Sequence, residues 1–218
     1  VGGDTSASRT GLFLSLAVLG EAAPKEVLRR STARAGDHLY VTGTLGDAQA
    51  GLEILLARKA GRRGRGTNAR DAAYLTGRHL TPTARLREAR YLAAGRLASA
   101  AIDLSDGLAG DVRHICEESR VGCLIDARQL PLSRPLIAYA RAVRRDPLAY
   151  ALGGGEDYEL LFTVPPAKVP RVEGLIRRRV LRATPIGSIT PAGRGLRIIG
   201  ADGSVRPLTA KGYEHRLG

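Results

Sequence analysis

The stretch Ala101-Ile102-Asp103-Leu104-Ser105-Asp106-Gly107-Leu108 sets two carboxylates three residues apart, with a serine between them. Upstream, Ala98 to Ile102 is small and apolar, as a buried strand is. Downstream, Leu108, Val112, Ile115 and Cys116 recur at the spacing of one face of an amphipathic helix. Asp103 and Asp106 therefore belong to a strand-to-helix turn at the carboxyl end of a strand, where ligands of α/β proteins bind. Two readings compete for that turn. Asp and Ser are good helix N-caps and need no further purpose. A cap uses one such side chain, however, and this turn holds three. Carboxylates this close repel each other unless one is protonated or a cation lies between them. Mg²⁺, which takes oxygen ligands and shares them with phosphates, is the natural partner.

Strand and helix patterns extend from the turn in both directions. Toward the N-terminus, the helix that delivers the chain to the turn runs from about Arg85 to about Leu97, behind Leu80-Thr81-Pro82-Thr83. Gly61 to Asn68 is rich in glycine and arginine without periodicity, the composition of a surface connection. Gly46-Asp47 opens a helix whose apolar stripe is Ala48, Leu52, Leu55 and Leu56. Asp37 to Gly43 alternates like a strand. Leu12 to Gly20 is unusually apolar and reads as a buried strand, which needs sheet partners to be stable. Before it, Gly2 and Gly3 permit close backbone approach to a ligand, and Asp4 can hold a metal.

Toward the C-terminus, Val121 to Ile125 is a short strand and Pro135 to Arg145 is helical in composition. In Leu152 to Val164, three glycines deliver Glu156, Asp157 and Glu159 onto an apolar strand. The plain reading is a glycine turn with solvated acids; the functional one places Glu156 or Asp157 at a ligand. Val169 to Val180 is an amphipathic helix with Arg177-Arg178-Arg179 near its C-terminal end, where cations are favoured. Leu196 to Ile199 and Ser204 to Arg206 flank Asp202-Gly203, a hairpin signal. The sum is a mixed α/β (α+β) chain without internal repeats.

Composition narrows the function classes. The 218 residues carry a formal charge of +13, nearly all of it arginine, since only Lys25, Lys59, Lys168 and Lys211 are lysines. The arginines are dispersed and aromatic residues are scarce, so base-stacking platforms are lacking and specific nucleic-acid binding is not expected. No apolar run is long enough to span a bilayer, so no membrane role is expected either. Cys116 and Cys123 lack the spacing of a redox or zinc pair and read as buried free thiols of a cytoplasmic protein.

Six motifs in register resemble the thiamine-monophosphate kinases of the aminoimidazole-ribonucleotide synthetase superfamily. They are Val1-Gly2-Gly3-Asp4-Thr5, Arg30-Ser31 before Ala35-Gly36-Asp37, Tyr40 to Gly43, Asp103 to Leu108, Gly154 to Leu160, and Gly212-Tyr213. The resemblance implies a C-terminal domain of that fold over residues 37–218, a connection over 23–36, and a remnant of an N-terminal ATP- and metal-binding domain over 1–22, its last strand. It implies in-line transfer of the ATP γ-phosphoryl group to thiamine monophosphate, with Mg²⁺ as cofactor and without a covalent phosphoenzyme. By position, Asp4, Asp103 and Asp106 match metal ligands; Gly3, Asp4, Arg30 and Ser105 match ATP contacts; Glu156 and Tyr213 match contacts to thiamine monophosphate. The family's N-terminal half, which carries further acids and the dimer-forming sheet, is absent from the 218 residues apart from that strand. The expectation is therefore a homodimer at full length and little or no activity for this portion alone. The alternatives are another ATP-dependent enzyme of the superfamily and a non-catalytic binding module that kept the fold.

Overall fold

The computed structural model describes residues 17–61 and 67–209. Their elements run β1 (His38–Thr42), α1 (Asp47–Lys59), α2 (Ala69–Leu80), α3 (Leu86–Ala94), β2 (Ala100–Asp103), α4 (Leu108–Ser119), β3 (Val121–Asp126), α5 (Arg134–Ala142), α6 (Pro147–Gly153), β4 (Leu160–Val164), α7 (Val169–Arg177), β5 (Ala183–Pro191), β6 (Leu196–Ile199) and β7 (Val205–Pro207). The strands form one sheet in the order β2-β4-β1-β5-β3-β6-β7. All neighbours are antiparallel except β3 and β6.

Strand periodicity sorts the core into two faces. Leu39, Val41 and Leu161 point to one face and pack with Leu108, Val112, Ile115 and Cys116 of α4. Tyr40, Phe162 and Val164 point to the other, where Leu92 of α3 and Val172 of α7 cover them. Tyr40 and Phe162 are register partners, and their rings stack at 5.5 Å. A third cluster joins α1, α2, α5 and α6 through Ile54, Leu75, Leu136 and Tyr150. Both cysteines are free and buried.

Several sequence expectations change. In Leu12 to Gly20, residues 12–16 lie outside the described residues; residues 17–20 form no strand, and Val18 and Leu19 are exposed. Among the described residues they pair with no strand of the sheet, and their exposed backbone is open to water instead. The helix before the acidic turn stops at Ala94, and the one expected to reach Val180 stops at Arg177. The buried side of α1 is Ala48, Ala50, Gly51 and Ile54 rather than the leucine stripe, and Leu56 is exposed. The reason is close packing on α2: a Cβ on Gly51 would stand 2.1 Å from the Leu75 carbonyl oxygen. Small residues therefore face the neighbouring helix, while Leu52 and Leu55 are only half-buried and Leu56 is exposed.

Candidate functional site

The acidic turn and the glycine-rich acidic loop meet because β2 and β4 are antiparallel neighbours, with Asp103 opposite Leu160. The end of one strand thus lies beside the beginning of the other, and their pairing continues past the sheet. Leu104 N–H donates to the Glu159 carbonyl, Tyr158 N–H to the Leu104 carbonyl, and Glu156 N–H to the Ser105 carbonyl, each at 2.8 Å. Close approach demands glycine at 155, where a Cβ would lie 2.5 Å from the Ser105 carbonyl oxygen. Glu156 and Tyr158 both adopt positive φ, 66° and 48°, an unfavourable backbone for such residues that the two-turn zipper holds in place.

Helix capping does not explain the acids of the turn. The N-cap of α4 is Gly107, with φ of 99° and no capping side chain. Among the described residues, no hydrogen bond reaches the carboxylates of Asp103 and Asp106 or the Ser105 hydroxyl. Asp103 is exposed and Asp106 half-buried. A third acid lies beneath them: Asp111, buried in the first turn of α4, accepts from Asp106 N–H at 3.1 Å. Burial, then the nearby charges of Asp106 and Asp103, push its carboxyl up to about 7 against backbone hydrogen bonds that lower it. Sequence reasoning missed Asp111, although an aspartate on the apolar stripe of a helix is a visible anomaly. Among the described residues no group of three or more His, Cys, Asp or Glu converges as a metal cage. Two oxygen donors in a region of uncompensated negative charge nonetheless fit Mg²⁺, which is commonly held by one or two carboxylates together with substrate phosphates.

The three acids of the second loop have different fates. Glu156 projects outward and its Oε2 lies 3.0 Å from Nδ1 of the mostly buried His79. Asp157 is buried and structural: it accepts from Gly46 N–H at 2.6 Å and Ala48 N–H at 3.2 Å, closing the N-terminus of α1. Glu159 is fully buried, taking Thr42 Oγ1 at 2.6 Å, Arg78 at 2.7 Å and Arg85 Nε at 2.6 Å. Gly43 makes room for it, because a Cβ there would stand 2.1 Å from Glu159 Oε1. Arg78 and His79 sit on α2, an element that the sequence reading passed over; its signal was the Asn68 cap, which accepts from Asp71 N–H.

Beside Asp103 opens a cleft of about 480 Å³, with Pro82, Leu86, Ala89 and Leu160 as apolar walls and Tyr158 at its side. The other expected site residues stand apart. Arg30 pairs with Glu118 at 3.2 Å, at the far end of α4 from the acidic turn. Gly3, Asp4 and Tyr213 lie outside the described residues.

Comparison with known proteins bears directly on this arrangement. The family model described as AIR synthase related protein, C-terminal domain, matches residues 34–199. The chain belongs to this family. Within the AIR synthase-related proteins, it is 41% identical over 215 residues to the thiamine-monophosphate kinase of Escherichia coli O157:H7, covering 99% of this chain and 62% of that protein. The thiamine-monophosphate kinase of Aquifex aeolicus is 41% identical over 165 residues, 76% of this chain and 50% of that one. The chain thus spans 62% or less of these two relatives. The solved structure described as AaThiL complexed with AMPPCP and TMP has a TM-score of 0.71 and 36% identity, over 87% of this chain and 54% of that chain. Hydrogenase maturation protein HypE, at 20% identity and a TM-score of 0.64, shares the fold alone.

Proposed function

We propose that this chain supplies the C-terminal part of an ATP-dependent kinase for thiamine monophosphate, with residues 37–218 as the domain, 23–36 as the connection and 1–22 as the tail of a preceding ATP-binding domain. One observation carries the reading: two acidic turns are zipped together by three backbone hydrogen bonds, which gathers the exposed Asp103 and Glu156 and the half-buried Ser105 and Asp106 at one sheet end. Phosphoryl transfer asks the protein for positioning and charge neutralisation rather than covalent chemistry, which suits such a set. Asp103 and Asp106 would hold Mg²⁺, which supplies neutralisation of the phosphate oxygens. Asp111 fixes the turn by accepting from Asp106 N–H. Ser105 offers a hydroxyl to the nucleotide. Glu156, beside His79, offers a carboxylate to the cationic thiazolium of thiamine monophosphate, and the apolar cleft beside Asp103 offers its rings a water-poor wall. Arg30, Gly3, Asp4 and Tyr213 enter this reading through the resemblance. Its setting is a cytoplasmic homodimer at full length.

The test is formation of ADP and thiamine diphosphate from ATP, Mg²⁺ and thiamine monophosphate by a chain completed with the missing length of its relatives. Asp103→Asn and Asp106→Asn are each expected to lower turnover by orders of magnitude. Near-normal turnover in both variants sinks the metal assignment, and absence of thiamine diphosphate in the unmodified completed chain sinks the activity.

A further inference from the structure

We propose that a second, arginine-lined cleft is a metal-independent binding site for a phosphate-bearing anion. The cleft, about 590 Å³, lies across the Arg85–Glu159 pair from the apolar cleft beside Asp103. Four guanidinium groups line it, and each comes from a different part of the fold: Arg78 from α2, Arg85 from the approach to α3, Arg179 from just beyond α7, and Arg182 from just before β5. Glu159 is the sole carboxylate in the lining, and it is already engaged by Arg78 and Arg85. The balance of the cleft is therefore strongly positive.

Two observations mark this surplus as a site rather than a solvated face. Arg78 Nε is buried and, among the described residues, donates no hydrogen bond; its ion pair with Asp47 is stretched to 3.8 Å. A buried donor left unmade costs free energy that a ligand oxygen would recover. Arg179 and Arg182 are exposed, and no carboxylate among the described residues pairs with them. Guanidinium forks pair oxyanions bidentately, and several forks converging on one concavity select a compact, multiply charged anion. Pyrophosphate fits this best among simple probes, because it carries more oxygens than phosphate. The acidic turn repels anions unless a cation is bound there, whereas this cleft needs none. The proposal is therefore independent of the kinase reading.

Titration of the full 218-residue chain with pyrophosphate, inorganic phosphate and AMP, in EDTA and at ionic strength held constant with NaCl, tests it by calorimetry. Saturable binding is expected, tighter for pyrophosphate than for phosphate, and weakened at least ~10-fold in Arg179→Gln/Arg182→Gln. AMP binding as well as phosphate assigns the site to phosphate monoesters; AMP failing where phosphate binds assigns it to free phosphates. Arg194→Gln/Arg206→Gln, which removes the same charge from exposed positions elsewhere, should bind within ~2-fold of the unmodified chain. Should the first double variant unfold, Arg182→Gln alone carries the same comparison. Absence of saturable binding, or equal weakening in both double variants, overturns the proposal.

Discussion

Replacing Gly155 by alanine tests the contact on which the candidate site depends. The new methyl carbon would meet the Ser105 carbonyl oxygen at 2.5 Å, where ordinary C···O contacts begin near about 3.3 Å. Both sides are backbone, so no side chain can rotate away, and the turns must part by about 0.8 Å to reach that spacing. The neighbouring hydrogen bond from Glu156 N–H to the same oxygen, now 2.8 Å, would stretch to about 3.6 Å and cease to be one. Its loss costs about 1 kcal/mol, and overpacking adds about 1–3 kcal/mol. The lower chain entropy of unfolded alanine offsets about 0.4–1 kcal/mol. A net loss of about 2–3 kcal/mol follows, equivalent to about 1 M in the urea midpoint for a chain whose slope is near 3 kcal/mol/M. In the completed kinase, a displacement approaching 1 Å at the turn should also lower turnover by about 100-fold. Gly193→Ala is the control, because nothing lies within 4 Å of a Cβ at that position; its midpoint should stay level or rise. A Gly155→Ala midpoint within ~0.2 M of the unmodified chain would refute the zipped turns.

Three further outcomes follow from buried groups and close contacts. Glu159→Gln strips charge from a fully buried acceptor of two arginines and should cost about 2–4 kcal/mol by urea unfolding; a loss under ~0.5 kcal/mol counts against the buried triad. Asp157 is held near 7 by burial, against two backbone donors that lower it; between its ordinary value and about 7 the unfolded chain ionises while the folded one stays protonated, so its contribution to stability falls as pH rises through that window, by up to about 4 kcal/mol. The stability of Asp157→Asn relative to the unmodified chain should accordingly improve between pH 4.5 and 7.5, and a flat difference contradicts the burial argument. Gly51→Ala gains about 1 kcal/mol of helix propensity but drives a methyl to 2.1 Å from the Leu75 carbonyl oxygen; the clash should win, with a net loss of about 1–3 kcal/mol in thermal or urea melts.

What could be read in advance depended on whether the informative contact was local. The acidic turn announced itself because β2 and α4 carry clean strand and helix periods on either side of it, and the face expected for α4 is the one that is buried. The face expected for α1 was wrong because its neighbour is another helix approached through Ala50 and Gly51, where large residues cannot fit. Hydrophobic size marks the packed face only when the partner lies far enough away to accept it. The strand β5 escaped notice because Pro185, Gly187 and Pro191 read as breakers. Its register against β1 shifts between Leu39 and Tyr40, and Pro185 sits at that irregularity, opposite Tyr40. A bulge tolerates a residue without an N–H where a regular ladder would not.

The acids of the second loop carry the same lesson into the site. Glu156, Asp157 and Glu159 are indistinguishable by composition, yet one is exposed beside His79, one caps α1, and one neutralises Arg78 and Arg85. The partners that separate them lie 74 to 111 residues away in the chain, so no window on the sequence holds the difference. Removing a carboxylate should therefore produce three phenotypes from one short segment. Changes at Glu156 should alter turnover of the completed kinase without altering stability, changes at Asp157 should tilt the pH profile of unfolding, and changes at Glu159 should lower stability through loss of its arginine contacts. A segment in which all three substitutions merely destabilised the fold would place no functional group there at all, and the outward-facing carboxylate of Glu156 would then be a solvated side chain.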